Sequence, residues 1–167
     1  MDFGTNSAVS LLKRYENLLI VQTMSKSRSL AGLRIGYALG SETLIATLEA
    51  VKNSYNSYTM DAIALAAGEA AVRDEMYFQQ ICHKVIATRE RAAEALRELG
   101  FTVSPSLSNF LFVTHPKKEA SVIFEYLRQK NIFIRYFKLP RIDNYLRITV
   151  GTDEQMDKLI AALKEFL

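Results

Sequence analysis

Short apolar runs alternate along the chain with segments in which apolar residues recur every three or four positions, and that order predicts a mixed α/β protein. Leu18-Leu19-Ile20-Val21 is fully apolar, and Arg34-Ile35-Gly36-Tyr37-Ala38-Leu39-Gly40 is a second short run closed by glycine. Both read as buried strands. Between them lies a polar stretch, residues 22–33, rich in hydroxyls and cations, so a chemically equipped loop is expected between two strands. Leu44, Ile45 and Leu48 give residues 41–52 helical spacing, while residues 53–59 are polar and aromatic without a period and read as a hinge.

The alanine-rich run over residues 62–67 predicts a helix with Asp61 as its N-cap. A longer amphipathic helix follows, on which Ile81, Val85, Thr88, Ala92, Leu96 and Leu99 share one face and Gly100 closes the end. Residues 101–103, 110–113, 132–134 and 146–150 are strand candidates, with a helix over residues 120–130. The last helix has Thr152 and Gln155 placed for a capping box, and Met156, Leu159, Ile160 and Leu163 on its apolar face. Residues 1–53 supply only two strands and cannot cover both faces of a sheet, so they read as the end of a larger α/β domain. Residues 54–167 carry enough elements for a hinge and a small α+β domain of their own.

Composition narrows the function. The 167 residues include 21 Lys plus Arg against 18 Asp plus Glu, a net charge of +3, and the cations are scattered rather than gathered into one stripe. Nucleic-acid binding is therefore not expected. A single cysteine, Cys82, cannot form an internal disulfide, and His83 and His115 make no metal motif, so no metal is expected and a reducing, cytoplasmic setting is. No apolar run approaches the roughly 18 residues of a bilayer span, and the first residues lack the basic and apolar regions of a targeting peptide, so no membrane partner is expected.

The motifs of dinucleotide-binding proteins, P-loop proteins, zinc peptidases and serine hydrolases are missing. What stands out is Thr23-Met24-Ser25-Lys26 followed by Leu30-Ala31-Gly32-Leu33-Arg34-Ile35-Gly36-Tyr37. A lysine at the end of a buried strand can be partly desolvated, which favours the neutral amine needed for a Schiff base, so Lys26 is the candidate nucleophile. Thr23 and Ser25, two residues apart, can both donate to a phosphate, and Arg34 can add a charge-assisted pair. Gly32 is expected to let the backbone bend, and Gly36 to permit close approach of a neighbouring element.

The run from Thr23 to Tyr37 resembles the cofactor-lysine segment of the fold type I pyridoxal-phosphate aminotransferases of class I/II, and its Leu-Ala-Gly-Leu-Arg form is most similar to the histidinol-phosphate branch of that family. The resemblance continues through Tyr15-Glu16-Asn17-Leu18, Tyr55-Asn56, Asn109-Phe110 and Leu146-Arg147-Ile148-Thr149-Val150-Gly151-Thr152, covering nearly the whole chain. It implies that residues 1–53 are the C-terminal part of the cofactor-binding large domain. It also implies that Lys26 carries pyridoxal 5'-phosphate, that Thr23, Ser25 and Arg34 hold the phosphate, and that Arg147 pairs with the substrate carboxylate. Arg135 would meet the other acidic end of the substrate, and Asn109 would lie at the substrate site. Tyr37 and Tyr55 receive no role. The partners implied are small amino-acid and keto-acid substrates, with a homodimer in the complete enzyme.

Members of this family place a glycine-bearing phosphate loop, an aromatic residue over the cofactor ring and an aspartate for the ring nitrogen ahead of the point matching Asp2-Phe3. The expectation is therefore a C-terminal piece with little or no transaminase activity alone. Two other readings stay open: a different class I/II aminotransferase or threonine-phosphate decarboxylase-like enzyme, and a non-catalytic module that associates through unpaired strand edges.

Overall fold

The short apolar runs and the longer period-3.6 runs resolve into six strands and five α-helices among the described residues of the computed structural model, residues 2–167. Two units partition the chain, one up to Ile81 and the other Cys82–Leu167.

In the first unit, β1 (Ile20–Thr23) pairs antiparallel with β2 (Gly36–Leu39), Ile20 opposite Leu39 and Thr23 opposite Gly36. β1 keeps its expected length but starts two residues later, β2 is shorter than expected, and neither is buried: Val21 is 72% exposed, and Tyr37 and Leu39 are exposed as well. A two-stranded ribbon has no second layer of its own, so an apolar sequence does not suffice to bury it. Gly36 does permit close approach, since a Cβ there would lie 2.9 Å from the Gln22 carbonyl oxygen. Helix α1 (Glu42–Tyr55) runs three residues into the expected hinge. Helix α2 (Ala62–Arg73) starts at the predicted cap, where Asp61 Oδ1 accepts from the Ala64 N–H at 2.7 Å.

Helix α3 (Glu75–Glu98) begins six residues before its apolar period does and continues past Ile81 into the second unit. Gly100, at φ +85°, ends it, with the Phe101 N–H donating back to the Leu96 carbonyl at 3.0 Å. There follow β3 (Thr102–Val103), β4 (Phe110–Thr114), α4 (Ala120–Gln129), β5 (Arg135–Tyr136), β6 (Leu146–Thr149) and α5 (Asp153–Phe166). The strands form one antiparallel sheet in the order β3-β4-β6-β5. Residues 132–134 are not a strand: pairing starts at Arg135, where β6 offers partners to Arg135 and Tyr136.

Alternation then sorts the sheet into two faces. Leu111 and Val113 of β4 and Leu146 and Ile148 of β6 point into a core with Ala92, Ala93 and Leu96 of α3, Ile123 and Leu127 of α4, and Met156, Leu159 and Leu163 of α5. Their neighbours Phe110, Phe112, Arg147 and Thr149 fall on the opposite face. The Thr152–Gln155 capping box forms as predicted, at 3.3 and 3.0 Å, and orients α5 onto this core. No helix among the described residues is long and apolar enough to cross a membrane.

Candidate active site

The lysine segment is a turn closed on itself. After β1 ends at Thr23, the Met24 N–H donates to the Ile35 carbonyl at 3.1 Å, the Leu30 N–H to the Met24 carbonyl at 3.1 Å, and the Ser29 N–H to the Lys26 carbonyl at 3.1 Å. Ser29 takes a left-handed conformation, φ 57°, to make the bend. Thr23 Oγ1 donates to Ser25 Oγ at 2.7 Å and accepts from the Ser25 N–H at 3.1 Å. The structure therefore places side by side the two hydroxyls that the two-residue spacing singled out.

Two local expectations change. Lys26 lies three residues beyond the end of a half-exposed strand and is itself exposed, so no buried strand desolvates it in this chain. The bend expected at Gly32 is made elsewhere: Gly32 sits in a 3-10 turn, Ala31–Leu33, with open space where a Cβ would go, and the reversal falls at Arg34, at φ 57° and ψ 34°. Arg34 thus lies outside β2 and is exposed, with Nη1 donating to the Ala31 carbonyl at 2.9 Å.

Arg28, one of the cations of the 22–33 stretch and given no role by its sequence, anchors this turn. The Arg28 guanidinium lies 3.7 Å from the centre of the Phe78 ring, donates to the Ala71 carbonyl, and pairs with Glu75 at 3.2 Å. Glu75 is held below the usual carboxylate range, chiefly by the Gln79 side-chain amide and further by Arg28, with desolvation opposing. Nothing in the local sequence signals this, because the partners lie more than forty residues on.

The second unit brings the two predicted substrate arginines together. Arg135 of β5 and Arg147 of β6 are direct cross-strand partners, and Phe112 of β4 is opposite Arg147 on its other side. Like charges in this register repel. No ion pair with an acidic side chain relieves them among the described residues. Both instead lie against aromatic rings: Arg147 is 5.3 Å from the Phe110 centroid and 5.6 Å from that of Phe137, and Arg135 is 5.4 Å from Phe137. Phe112 stacks on Tyr145 at 4.6 Å and meets Phe137 edge-on at 6.4 Å, which stiffens the platform. Arg147 Nε is buried without a hydrogen-bond partner. A half-buried guanidinium with an unused donor beside a second guanidinium has the donors and the charge to take an oxyanion.

Asn109 stands at the entrance to β4, its carbonyl accepting from the Val150 N–H at 2.9 Å, so it is fixed next to the end of the strand that carries Arg147. The aromatic platform was legible only as alternation, Phe110 and Phe112 being out of phase with Leu111 and Val113. Phe137 and Tyr145 carried no signal.

Comparison with known proteins points to one family. A family model described as aminotransferase class I and II matches residues 1–163. The histidinol-phosphate aminotransferase of Marinomonas sp. (strain MWYL1) is 56% identical over 166 residues, covering 98% of this chain and 47% of the relative. Histidinol-phosphate aminotransferase 2 of Dechloromonas aromatica (strain RCB) is 54% identical, covering 99% and 46%. Among solved structures, the histidinol-phosphate aminotransferase of Sinorhizobium meliloti in complex with pyridoxal-5'-phosphate superposes with a TM-score of 0.78 at 30% identity, covering 91% of this chain and 42% of that one. The chain spans about half the length of these relatives. With the family model matching nearly the whole chain and the fold shared with solved members, the chain belongs to the class I and II aminotransferase family.

Proposed function

We propose that this chain supplies the cofactor lysine and the substrate-binding arginines of a pyridoxal-phosphate-dependent aminotransferase that exchanges the amino group between histidinol phosphate and 2-oxoglutarate, a step of histidine biosynthesis. The observation that carries this reading is the opposed Arg135–Arg147 pair on its aromatic platform, without an acidic partner. Histidinol phosphate has a phosphate and no carboxylate, whereas glutamate has two carboxylates. Paired guanidiniums bind either kind of oxyanion, so one receptor serves both half-reactions in turn.

The residues of the lysine segment fit the cofactor by their chemistry. The adjoining hydroxyls of Thr23 and Ser25, with the Arg34 guanidinium, form a donor set for a phosphate monoester, and Lys26 provides the amine that binds an aldehyde. When bound, pyridoxal phosphate supplies the electron sink for the carbanion left by loss of the substrate Cα proton. With the cofactor held there, the Lys26 amine would be the group that takes the substrate Cα proton at Nζ and returns it in the transfer. Arg147 and Arg135 fix the substrate by its acidic groups, so that the Cα–H bond faces Lys26, and Asn109 orients the neighbouring loop. In this reading residues 1–53 belong to the large domain, residues 54–167 form the hinge and small domain, and the whole enzyme works as a cytoplasmic homodimer.

The test is titration of the chain with histidinol phosphate and with 2-oxoglutarate, followed by NMR of the arginine side chains. Both ligands are expected to shift the Nε resonances of Arg135 and Arg147, with Arg147→Met abolishing the response at Arg135 and Arg135→Met weakening the response at Arg147. An Arg135 shift that persists undiminished in Arg147→Met, or a wild-type chain that binds neither anion, would overturn the assignment.

A further inference from the structure

We propose that Arg28 is a positioning residue for the catalytic turn: its guanidinium, clamped by Phe78, Ala71 and Glu75, holds the backbone that presents Lys26. This rests on reading Lys26 as the cofactor-carrying lysine. The turn has little else to hold it. Lys26 is exposed, Ser29 is exposed in a left-handed conformation, and Ser27 is the turn's one buried side chain among the described residues. Within the turn two backbone bonds close it, Ser29 N–H to Lys26 and Leu30 N–H to Met24, and a third, Met24 N–H to Ile35, ties its start to the far side of the loop.

Arg28 opposes that looseness with three contacts of different kind. The ring of Phe78 takes the guanidinium at 3.7 Å, in the range where the attraction of a cation for an aromatic face is substantial. The Ala71 carbonyl belongs to the last turn of α2, where carbonyls have no helical donor, so the guanidinium satisfies an otherwise orphaned acceptor. Glu75, the first residue of α3, completes the clamp. The Arg28 side chain is only 15% exposed as a result. A planar fork with several donors makes all three contacts at once, and a lysine in its place keeps the charge but not the geometry.

Because Arg28 follows Lys26 by two residues within the same turn, any motion of its Cα is passed to the lysine backbone. A cation that merely glues α2 to α3 would leave the lysine turn indifferent to its loss. Wild-type chain, Arg28→Met, Arg28→Lys and Glu75→Gln are to be compared by two measurements. The first is amide exchange at Ser29 and Leu30. The second is borohydride trapping of pyridoxal phosphate with mass-spectrometric comparison of Lys26 against the other lysines of the first unit, Lys13 and Lys52, over a range of pH.

In Arg28→Met the two amides are expected to exchange roughly five- to thirtyfold faster, and the preference for Lys26 to fall toward that of the other lysines. Arg28→Lys recovers part of both losses, and Glu75→Gln, which leaves the stacking in place, shows the smallest change. Should Arg28→Met fail to fold by circular dichroism, Arg28→Lys and Glu75→Gln carry the same comparison. Unchanged exchange at Ser29 and Leu30, or an undiminished preference for Lys26, overturns the proposal. Faster exchange in variants of a wild-type chain that shows no preference for Lys26 upholds the clamp and removes the cofactor reading instead.

Discussion

Leu96 in α3 and Ile63 in α2 are branched apolar residues of equal size on helices of one chain, yet Leu96 is fully buried and Ile63 is 76% exposed. The contrast extends to their units. In Cys82–Leu167 three helices cover one face of a four-stranded sheet and the apolar residues of all of them meet in one cluster. In the first unit the two-stranded ribbon and its helices leave Val21, Val51, Ile63 and Leu65 exposed. Apolar periodicity identifies the face that asks for cover. Whether it is covered depends on a second layer, which the first unit does not supply from its own residues.

The largest expected break in that contrast is Leu96→Ala. Removing a fully buried side chain from the second unit's core should destabilise that unit by about 2–5 kcal/mol, read in a urea titration with a tyrosine of that unit as probe. The paired change Ile63→Ala should stay within about 0.5 kcal/mol. An equal loss at both positions would mean that the two units share one core.

Glycines sharpen the comparison within the first unit. Gly36→Ala puts a methyl 2.9 Å from the Gln22 carbonyl oxygen, which must push β2 from β1 at a cost of about 1–3 kcal/mol. Gly32→Ala meets nothing within 4 Å and should be neutral or stabilising by up to about 1 kcal/mol. Amide exchange across the Ile20–Thr23 and Gly36–Leu39 ladder distinguishes the two variants. If Gly36→Ala leaves the ladder's protection intact, the close approach is not what that position requires.

Acid gives the smallest effect. Asp153 is held below its ordinary carboxylate value, first by Arg91 and then by Thr88, with desolvation opposing. A depressed native value means the folded state binds fewer protons than the unfolded one. The carboxylate's contribution is therefore complete above the unfolded value near pH 4 and is lost as pH falls through the lower native one. Asp153→Asn should flatten the acid limb of the second unit's stability between those values, measured by urea titration at stepped pH. Because the pair is exposed, the change is small.

Much of this was legible one segment at a time. The Asp61 cap, the closing Gly100, the Thr152–Gln155 capping box and the apolar face of α5 follow from local rules, because each involves groups within a few residues of one another. The adjoining hydroxyls of Thr23 and Ser25 follow for the same reason. The failures are equally local in origin. Residues 132–134 carry a strand's composition, but pairing depends on where β6 presents its edge, one to three residues further on. Gly32 looked like the bend by composition, whereas the chain reverses at Arg34.

By itself, then, the sequence determined the elements, their caps and the residue types equipped for chemistry, since propensity, capping and periodicity act over one or two turns. Only the tertiary structure decided that Arg135 faces Arg147, that Phe110 and Phe137 lie against them, and that Arg28 reaches Phe78 and Glu75. Those pairings join residues far apart in the chain. They arise from strand register and helix packing, which balance the burial of whole faces and are encoded in no single segment.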